Sequence, residues 1–241
     1  MPIHILMYTP MKPPVDSNLK LLPQIKLLQL LSPVSPVGGY SYSQGLEWAV
    51  NEGWVNNEES FARWVSELIS STLSEQDLPL LRKLYVSVQE NDSSEVRYWS
   101  QFSIAVRDTA ELRFEERCRA EAILKVLESI EPLNSDCERE YFLNTPLLSM
   151  AWFCVKNGIE LQALLTAYAY NWLENTVVTG MKIIPLGQSS GQRMLYGFGE
   201  ELEDAIKQSL NVSDDCIGIS LPAVSMASSS HEVQYSRIYR S

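Results

Sequence analysis

The chain has 241 residues and a formal net charge of −11 at pH 7. A surface this acidic repels nucleic-acid phosphates and anionic lipid headgroups, which argues against nucleic acid and membrane as partners and favours proteins with basic surfaces. Hydrophobic residues make up 45% of the chain and charged residues 20%. This balance excludes a disordered or fibrous chain and indicates a globular protein with a core.

The chain begins with a proline-containing stretch, in which Pro10, Pro13 and Pro14 fix φ and remove backbone donors. An apolar patch at residues 3–8 has no positive charge before it and is much shorter than a membrane-spanning helix. We therefore expect a cytoplasmic protein with a loosely ordered N-terminal arm over residues 1–20.

No Gly-, Ser- or Pro-rich linker divides the chain before Ser225, which favours a single domain. Apolar residues recur with a helical period, and no run of alternating strand residues interrupts them. We expect an all-α domain over residues 21–230 and a C-terminal partner-binding tail over residues 231–241. The domain should be a bundle of about eight to ten helices. The predicted helices cover residues 25–31, 43–51, 60–73, 78–89, 96–106, 108–130, 147–155, 160–176 and 189–210.

Local signals place some of the helix ends. Asp108 or Thr109 is suited to cap the helix that ends near Ile130, because their side-chain oxygens can accept backbone N–H bonds. Gly158 is suited to end the helix before residue 160, because glycine adopts a left-handed conformation at low cost.

A corner rich in proline and small residues spans residues 28–47. Its prolines stop one helix, and Ser41 or Ser43 is placed to cap the next. Either a well-packed turn or a functional surface fits this pattern.

The segment from Lys182 to Gln192 contains Pro185, which predicts a helix break and a new helix near Leu186. The spacing then pairs Gln188 with Gln192 on one helix face. Packing inside the fold and contact with another protein both fit this face.

The tail from His231 to Ser241 is basic and aromatic, although the chain as a whole is acidic. Tyr and Arg are enriched at the energetic centres of protein interfaces. We consider partner contact, self-docking that supports a partner site, and a solvated tail. For His231 the alternatives are hydrogen bonding within the chain and contact with a metal or partner.

The sequence has no nucleotide-binding P-loop and no H-E-x-x-H motif, and His4 and His231 are its only histidines. The cysteines show no metal-ligand spacing. We therefore expect no catalytic residues, no cofactor and no resident metal. A carboxylate enzyme centred on Asp77 or Glu47 and a nickel carrier are less favoured alternatives.

Six blocks resemble the signature segments of the UreF family of urease accessory proteins. They occur in order along most of the chain. Position 44 is Gln where the family often has His, which weakens any role for it in metal contact. The blocks are residues 28–47, 77–81, 107–113, 167–171, 182–192 and 231–241.

The resemblance implies an accessory protein that binds UreD (also called UreH), recruits and regulates the GTPase UreG, and supports GTP-dependent nickel insertion into apo-urease. It also implies a homodimer within that complex. An alternative within the binding class is a GTPase-activating protein with an arginine finger at Arg237 or Arg240.

The resemblance further implies that the tail belongs to the UreD-binding region, and we hypothesise that this loosely ordered tail becomes ordered when the complex forms. Lys182 and the glutamine face are weaker candidates for contact with UreG or urease. The candidate residues are Tyr235, Arg237, Tyr239, Arg240, Ser241, Lys182, Gln188 and Gln192.

Overall fold

A computed structural model describes residues 21–32, 41–130, 133 and 136–240, with residues 136–138 as backbone only. Within these residues every regular element is helical, so the predicted all-α bundle is confirmed. The expected N-terminal arm, Ser241 and the middle of the proline-rich corner lie outside the described residues.

The described residues form twelve α-helices. A π-helical segment, Ile69–Asp77, joins α3 to α4, so that residues 58–89 run as one continuous rod. The helices are α1 (Leu21–Leu30), α2 (Leu46–Asn51), α3 (Glu58–Leu68), α4 (Leu78–Gln89), α5 (Ser93–Ala105), α6 (Ala110–Ile130), α7 (Asp136–Phe142), α8 (Pro146–Lys156), α9 (Leu161–Ile183), α10 (Gln188–Gly197), α11 (Gly199–Ser209) and α12 (Pro222–His231).

Several predicted helix bounds were wrong; for example, α1 begins four residues before residue 25 and α9 extends to Ile183. The helix expected over residues 189–210 is divided at Phe198, whose ψ of 2° ends α10 while its side chain packs into the core. The helices expected over residues 60–73 and 78–89 are not separate, because the π-helical turns continue between them. Pro79 lies directly after the point where the π-helical turns give way to α4.

Local capping chemistry explains two boundaries that were predicted correctly. Thr109 caps α6, since its Oγ1 accepts the backbone N–H of Leu112 at 3.1 Å. Gly158 follows α8 with φ of +63°, and Ile159 donates its N–H to the Cys154 carbonyl at 2.8 Å. Both ends follow from residues adjacent to them in sequence.

Of the two serines predicted to cap α2, Ser43 accepts the backbone N–H of Glu47 in the first turn, with its Oγ at 3.4 Å. The residue directly before α2 is Gly45, with φ of +83°. A Cβ atom at Gly45 would lie 2.8 Å from the backbone nitrogen of Ser228 and 2.9 Å from the Cβ of Ala227. Glycine is required here because α12 passes directly against the start of α2.

The core is one continuous cluster, and the predicted apolar stripe of α9 lies within it. Helix α8 packs against both α4 and α6. Fully buried aliphatic side chains fill the space between them, including Leu81, Leu84, Leu124 and Leu148. Within the described part of the chain, no helix combines the length and the apolar character that a bilayer crossing requires.

Replacement of Gly180 tests the closeness of this packing. A Cβ atom at Gly180 would overlap the ring of Phe61, which is fully buried. We expect Gly180→Ala to lower the free energy of unfolding by about 1–3 kcal/mol, measured by urea denaturation with circular dichroism. The control is Gly199→Ala, where an added Cβ meets nothing within 4 Å. Equal stability of the two variants would contradict the close α3–α9 contact.

Candidate protein-binding site

A buried ion network lies at the centre of the bundle, around Arg107. Its guanidinium contacts Asp77 Oδ1 at 2.8 Å and Glu116 Oε2 at 3.0 Å. The Tyr168 hydroxyl donates to Asp77 Oδ2 at 2.9 Å, and the Thr145 hydroxyl donates to Glu116 at 2.6 Å. The network therefore ties the start of α4 to α6, α8 and α9.

The carboxylates of the network stabilise the charge of Arg107, although burial and the Asp77 carboxylate raise the pKa of Glu116. Burial would lower the pKa of Arg107, but the nearby carboxylates of Asp77 and Glu116 outweigh that effect and raise it. Burial also raises the pKa of Tyr168, with the Asp77 carboxylate acting in the same direction. The guanidinium is therefore held in its charged form and the phenol in its neutral form. These are the forms that a structural ion pair needs.

The cavity beside Asp77 is small. Its volume is about 30 Å³, and Gln76, Arg107 and Asp108 also line it. This is room for about one water molecule and not for an organic substrate. The carboxylate chemistry considered at Asp77 gains no support, since that side chain is committed to Arg107 and Tyr168.

A second buried cluster contains His231, which ends α12 and is wholly inaccessible. Its Nδ1 lies 2.8 Å from Glu111 Oε2, and its Nε2 lies 3.3 Å from Glu47 Oε2. The ring therefore bridges two carboxylates on opposite edges. Of the alternatives considered for His231, hydrogen bonding within the chain is the one observed. Among the described residues, no group of three His, Cys, Asp or Glu side chains is arranged to hold a metal ion.

The C-terminal tail is docked on this second cluster. Ile238 and Tyr239 donate their backbone N–H groups to Glu47 at 2.7 and 2.9 Å. Arg237 pairs with Glu111 at 2.6 Å, and the Arg240 N–H binds the Ser41 carbonyl at 3.0 Å. Self-docking, one of the alternatives for the tail, is thus what the structure shows.

Docking divides the tail residues into two groups. Tyr239 is only 6% exposed, and burial raises the pKa of its hydroxyl. Val233 and Ile238 are 85% and 76% exposed, and Tyr235 is fully exposed. Tyr239 is therefore an anchor to the body of the protein. The other three side chains form what we call the tail surface.

Lys182 lies next to the anchored end of the tail, although the two are far apart in sequence. Its Nζ is 6.0 Å from the centre of the Tyr239 ring. Two candidate residues that were predicted separately are thus brought together. Gln188 and Gln192 are exposed in the first turns of α10.

Both arginines considered as arginine fingers contact their own chain. Arg237 is paired with Glu111, as described above. The pKa of the Tyr42 hydroxyl is raised, mainly by burial, and the neighbouring Arg240 side chain offsets part of this effect. Nothing in this arrangement favours a catalytic arginine over a structural one.

The 107–113 block organises more of the molecule than its sequence indicated. Arg107 points into the core, while Thr109 Oγ1 lies 2.8 Å from Ser228 Oγ on α12. Asp108 accepts hydrogen bonds from the Ser220 hydroxyl at 2.6 Å and from the Ser225 hydroxyl. One short segment therefore connects the buried network, α12 and, through its glutamate, the tail.

The roles of Glu47 and Glu111 in holding the tail were not predicted. At the level of the sequence, Glu47 is considered only as part of an enzyme, and no separate role is assigned to Glu111. Both lie inside blocks that the sequence had singled out. The opposite charges of the tail and of these two glutamates were a signal that they could interact. The sequence spacing, however, does not show which acidic residue contacts which part of the tail.

Comparison with known proteins identifies relatives along nearly the whole chain. Residues 55–199 match the model of the UreF family. The chain is 42% identical over 227 residues to the urease accessory protein UreF of Pseudomonas putida strain KT2440, which covers 94% of this chain and 100% of that protein. It is 40% identical over 222 residues to the urease accessory protein UreF of Alcanivorax borkumensis strain SK2, which covers 90% and 97%. The similarity is therefore not confined to one motif.

Removal of the central cation tests whether the buried network supports the bundle. Arg107→Met leaves the carboxylates of Asp77 and Glu116 buried without their counter-ion. We expect a loss of about 3–5 kcal/mol in the free energy of unfolding, measured by urea denaturation.

The matched control is Arg193→Met, because the pair of Arg193 and Glu58 is exposed at both ends. Its expected loss is at most about 1 kcal/mol. If Arg107→Met is as stable as this control, the network does not support the fold.

Proposed function

This chain belongs to the UreF family of urease accessory proteins, and we propose that it is a cytoplasmic scaffold for nickel insertion into apo-urease. In this proposal it binds UreD, also called UreH, through its C-terminal tail. The pair then recruits and regulates the GTPase UreG, and the chain is a homodimer within the assembly. The docked tail and its exposed apolar surface support the proposal most directly.

The tail surface has the composition of a protein interface. Val233, Tyr235 and Ile238 project into solvent from a backbone that is held in place, and Arg237 lies between them in sequence. Exposed apolar side chains next to Tyr and Arg are typical of the energetic centres of interfaces. A tail kept only for solubility would be polar and undocked.

Lys182 extends the same region, because it lies beside the anchored ring of Tyr239. A contact made by Lys182 would therefore be continuous with the proposed UreD site. Gln188 and Gln192, on the exposed face of α10, are separate candidates for UreG or urease.

The proposed partnership with a GTPase is consistent with the absence of a nucleotide-binding motif from this sequence. The chain has no P-loop motif, so the nucleotide site would belong to UreG. A scaffold shifts a GTPase between states only by binding one state more tightly than another. The role of this chain in the proposal is thus recognition and positioning.

Truncation of one exposed side chain tests the proposed surface. We expect Tyr235→Ala to weaken binding to the UreD protein of the same organism about 30-fold, the effect of losing a hot-spot side chain worth about 2 kcal/mol. Affinity is measured by biolayer interferometry, with far-UV circular dichroism to check the fold.

Tyr196→Ala is the matched control, because Tyr196 is also highly exposed but lies on α10. This control should bind with unchanged affinity. Wild-type affinity in a Tyr235→Ala, Ile238→Ala double variant would exclude the tail surface as the UreD site.

A further inference from the structure

We propose that a cavity between α4, α5, α7 and α8 is a binding site for a small amphipathic carboxylate with an aromatic or branched apolar body. The site goes beyond the proposed function, because none of the described residues that line it belongs to the tail surface or to α10. It also shares no lining residue with the two buried ion clusters.

The cavity is large enough for an organic molecule. Its volume is about 410 Å³, whereas the cavity beside Asp77 has about 30 Å³. Small-molecule sites in proteins typically have volumes of about 300–1,000 Å³ and are mostly apolar, with a few polar groups. Asn91 and Ser93 line the cavity and are exposed, so a ligand has access to it from solvent.

The walls of the cavity are predominantly apolar. Three aromatic rings contribute to them, and two of these, Phe142 and Trp152, pack edge to face with their centres 6.1 Å apart. The third ring is that of Tyr141, and aliphatic side chains complete the walls, including those of Val88, Val96 and Leu148. Aromatic rings beside branched aliphatic side chains favour a ligand whose body is itself aromatic or branched.

The cavity is preformed by the turn that joins α4 to α5. Asn91 has φ of +56°, a left-handed conformation that asparagine tolerates better than most residues. The next residue, Asp92, caps α5, since its Oδ1 accepts the N–H groups of Ser94 and Glu95 at 3.0 and 3.1 Å. Both features fix the direction of α5 and hence the position of Val96. A ligand therefore meets a wall that is already ordered and bears little of the entropy cost of ordering it.

The charge at the cavity indicates the polar group of the ligand. Lys156 is the only charged residue among the described residues that line it. Its Nζ lies 4.5 Å from the centre of the Trp152 ring, a distance at which the cation is attracted to the ring. The ammonium group therefore lies over an aromatic wall, where a ligand carboxylate forms a charge-assisted hydrogen bond with it. An amine of the same shape would be repelled, so the anion is the better fit.

Occupation of the cavity should stabilise the bundle. The lining side chains come from four helices, and one of these, α8, is also tied to the central network, because its cap Thr145 donates to the buried Glu116. A molecule that binds only the folded chain raises the free energy of unfolding once its concentration exceeds its dissociation constant. Binding is therefore measurable both by calorimetry and as a rise in the urea midpoint.

The first test compares two probes that differ in charge. Ibuprofen has a branched aromatic body and a carboxylate, and ibuprofen amide has the same body without the charge. We expect the full-length chain to bind both saturably and one to one in isothermal titration calorimetry, and the carboxylate about tenfold more tightly. Lys156→Met should bind the carboxylate about tenfold more weakly and the amide with unchanged affinity. The control is Lys125→Met, at an exposed lysine of α6, which should bind both compounds like the wild type.

The second test fills the cavity. Val96→Trp places an indole in the space for the ligand, and Ser93→Trp does so from an exposed position at the start of α5, outside the core. Both should lower the affinity for ibuprofen by about tenfold or more and remove the rise in urea midpoint that ibuprofen causes. Val126→Trp, at a half-buried valine of α6, is the control and should keep both. Far-UV circular dichroism checks the fold of each variant.

Three results would count against the proposal. Failure of the wild-type chain to bind either compound would overturn it. Unchanged binding in folded Ser93→Trp or Val96→Trp would place the compounds elsewhere on the chain and overturn it as well. Equal affinities of the wild-type chain for the acid and the amide would reject an anionic ligand. Each of these results leaves UreD binding by the tail surface unaffected, so the proposed function is tested separately.

Discussion

The ion pair between Arg107 and its two carboxylates is the interaction on which the arrangement of the helices depends. Arg107 lies between α5 and α6, and its partners come from the end of the π-helical segment and from the middle of α6. Buried charges are costly unless each has a partner, so the elements that carry them cannot move apart independently. The direction of α6 relative to Arg107 determines the position of Glu111. The position of Glu111 in turn determines where the tail docks.

The second cluster uses the same principle nearer the surface. The net charge of the chain is strongly negative, yet its last residues are basic. The carboxylates of Glu47 and Glu111 contact that segment, and the His231 ring lies between them. Acidic and basic residues that are far apart in the sequence are thus paired in the folded chain. The apolar side chains of the segment are left facing outward.

Features set by adjacent residues could be predicted from the sequence. The stripe of α9, the cap at Thr109 and the turn at Gly158 depend on helical period, hydroxyl chemistry and a positive φ, all of which are local. The break at Phe198 depends on where its ring is buried, and the glycine before α2 depends on the passage of α12. Helix α12 is rich in serine, a composition that is typical of a linker. Its helical structure is explained only by its contacts with Asp108 and Thr109. The tail residues were identified as functional candidates, but their attachment to Glu47 joins positions almost the whole chain apart.

The position of Arg240 has a practical consequence for work with fusion proteins. Its N–H binds the carbonyl of Ser41, so the chain at residue 240 lies beside the segment that leads into α2. An affinity tag or fluorescent reporter added there would begin only a few residues from the tail surface and would compete for the same space. If the tail surface is the partner site proposed above, such a tag would block it sterically, and labels attached to an exposed helix elsewhere would avoid that effect.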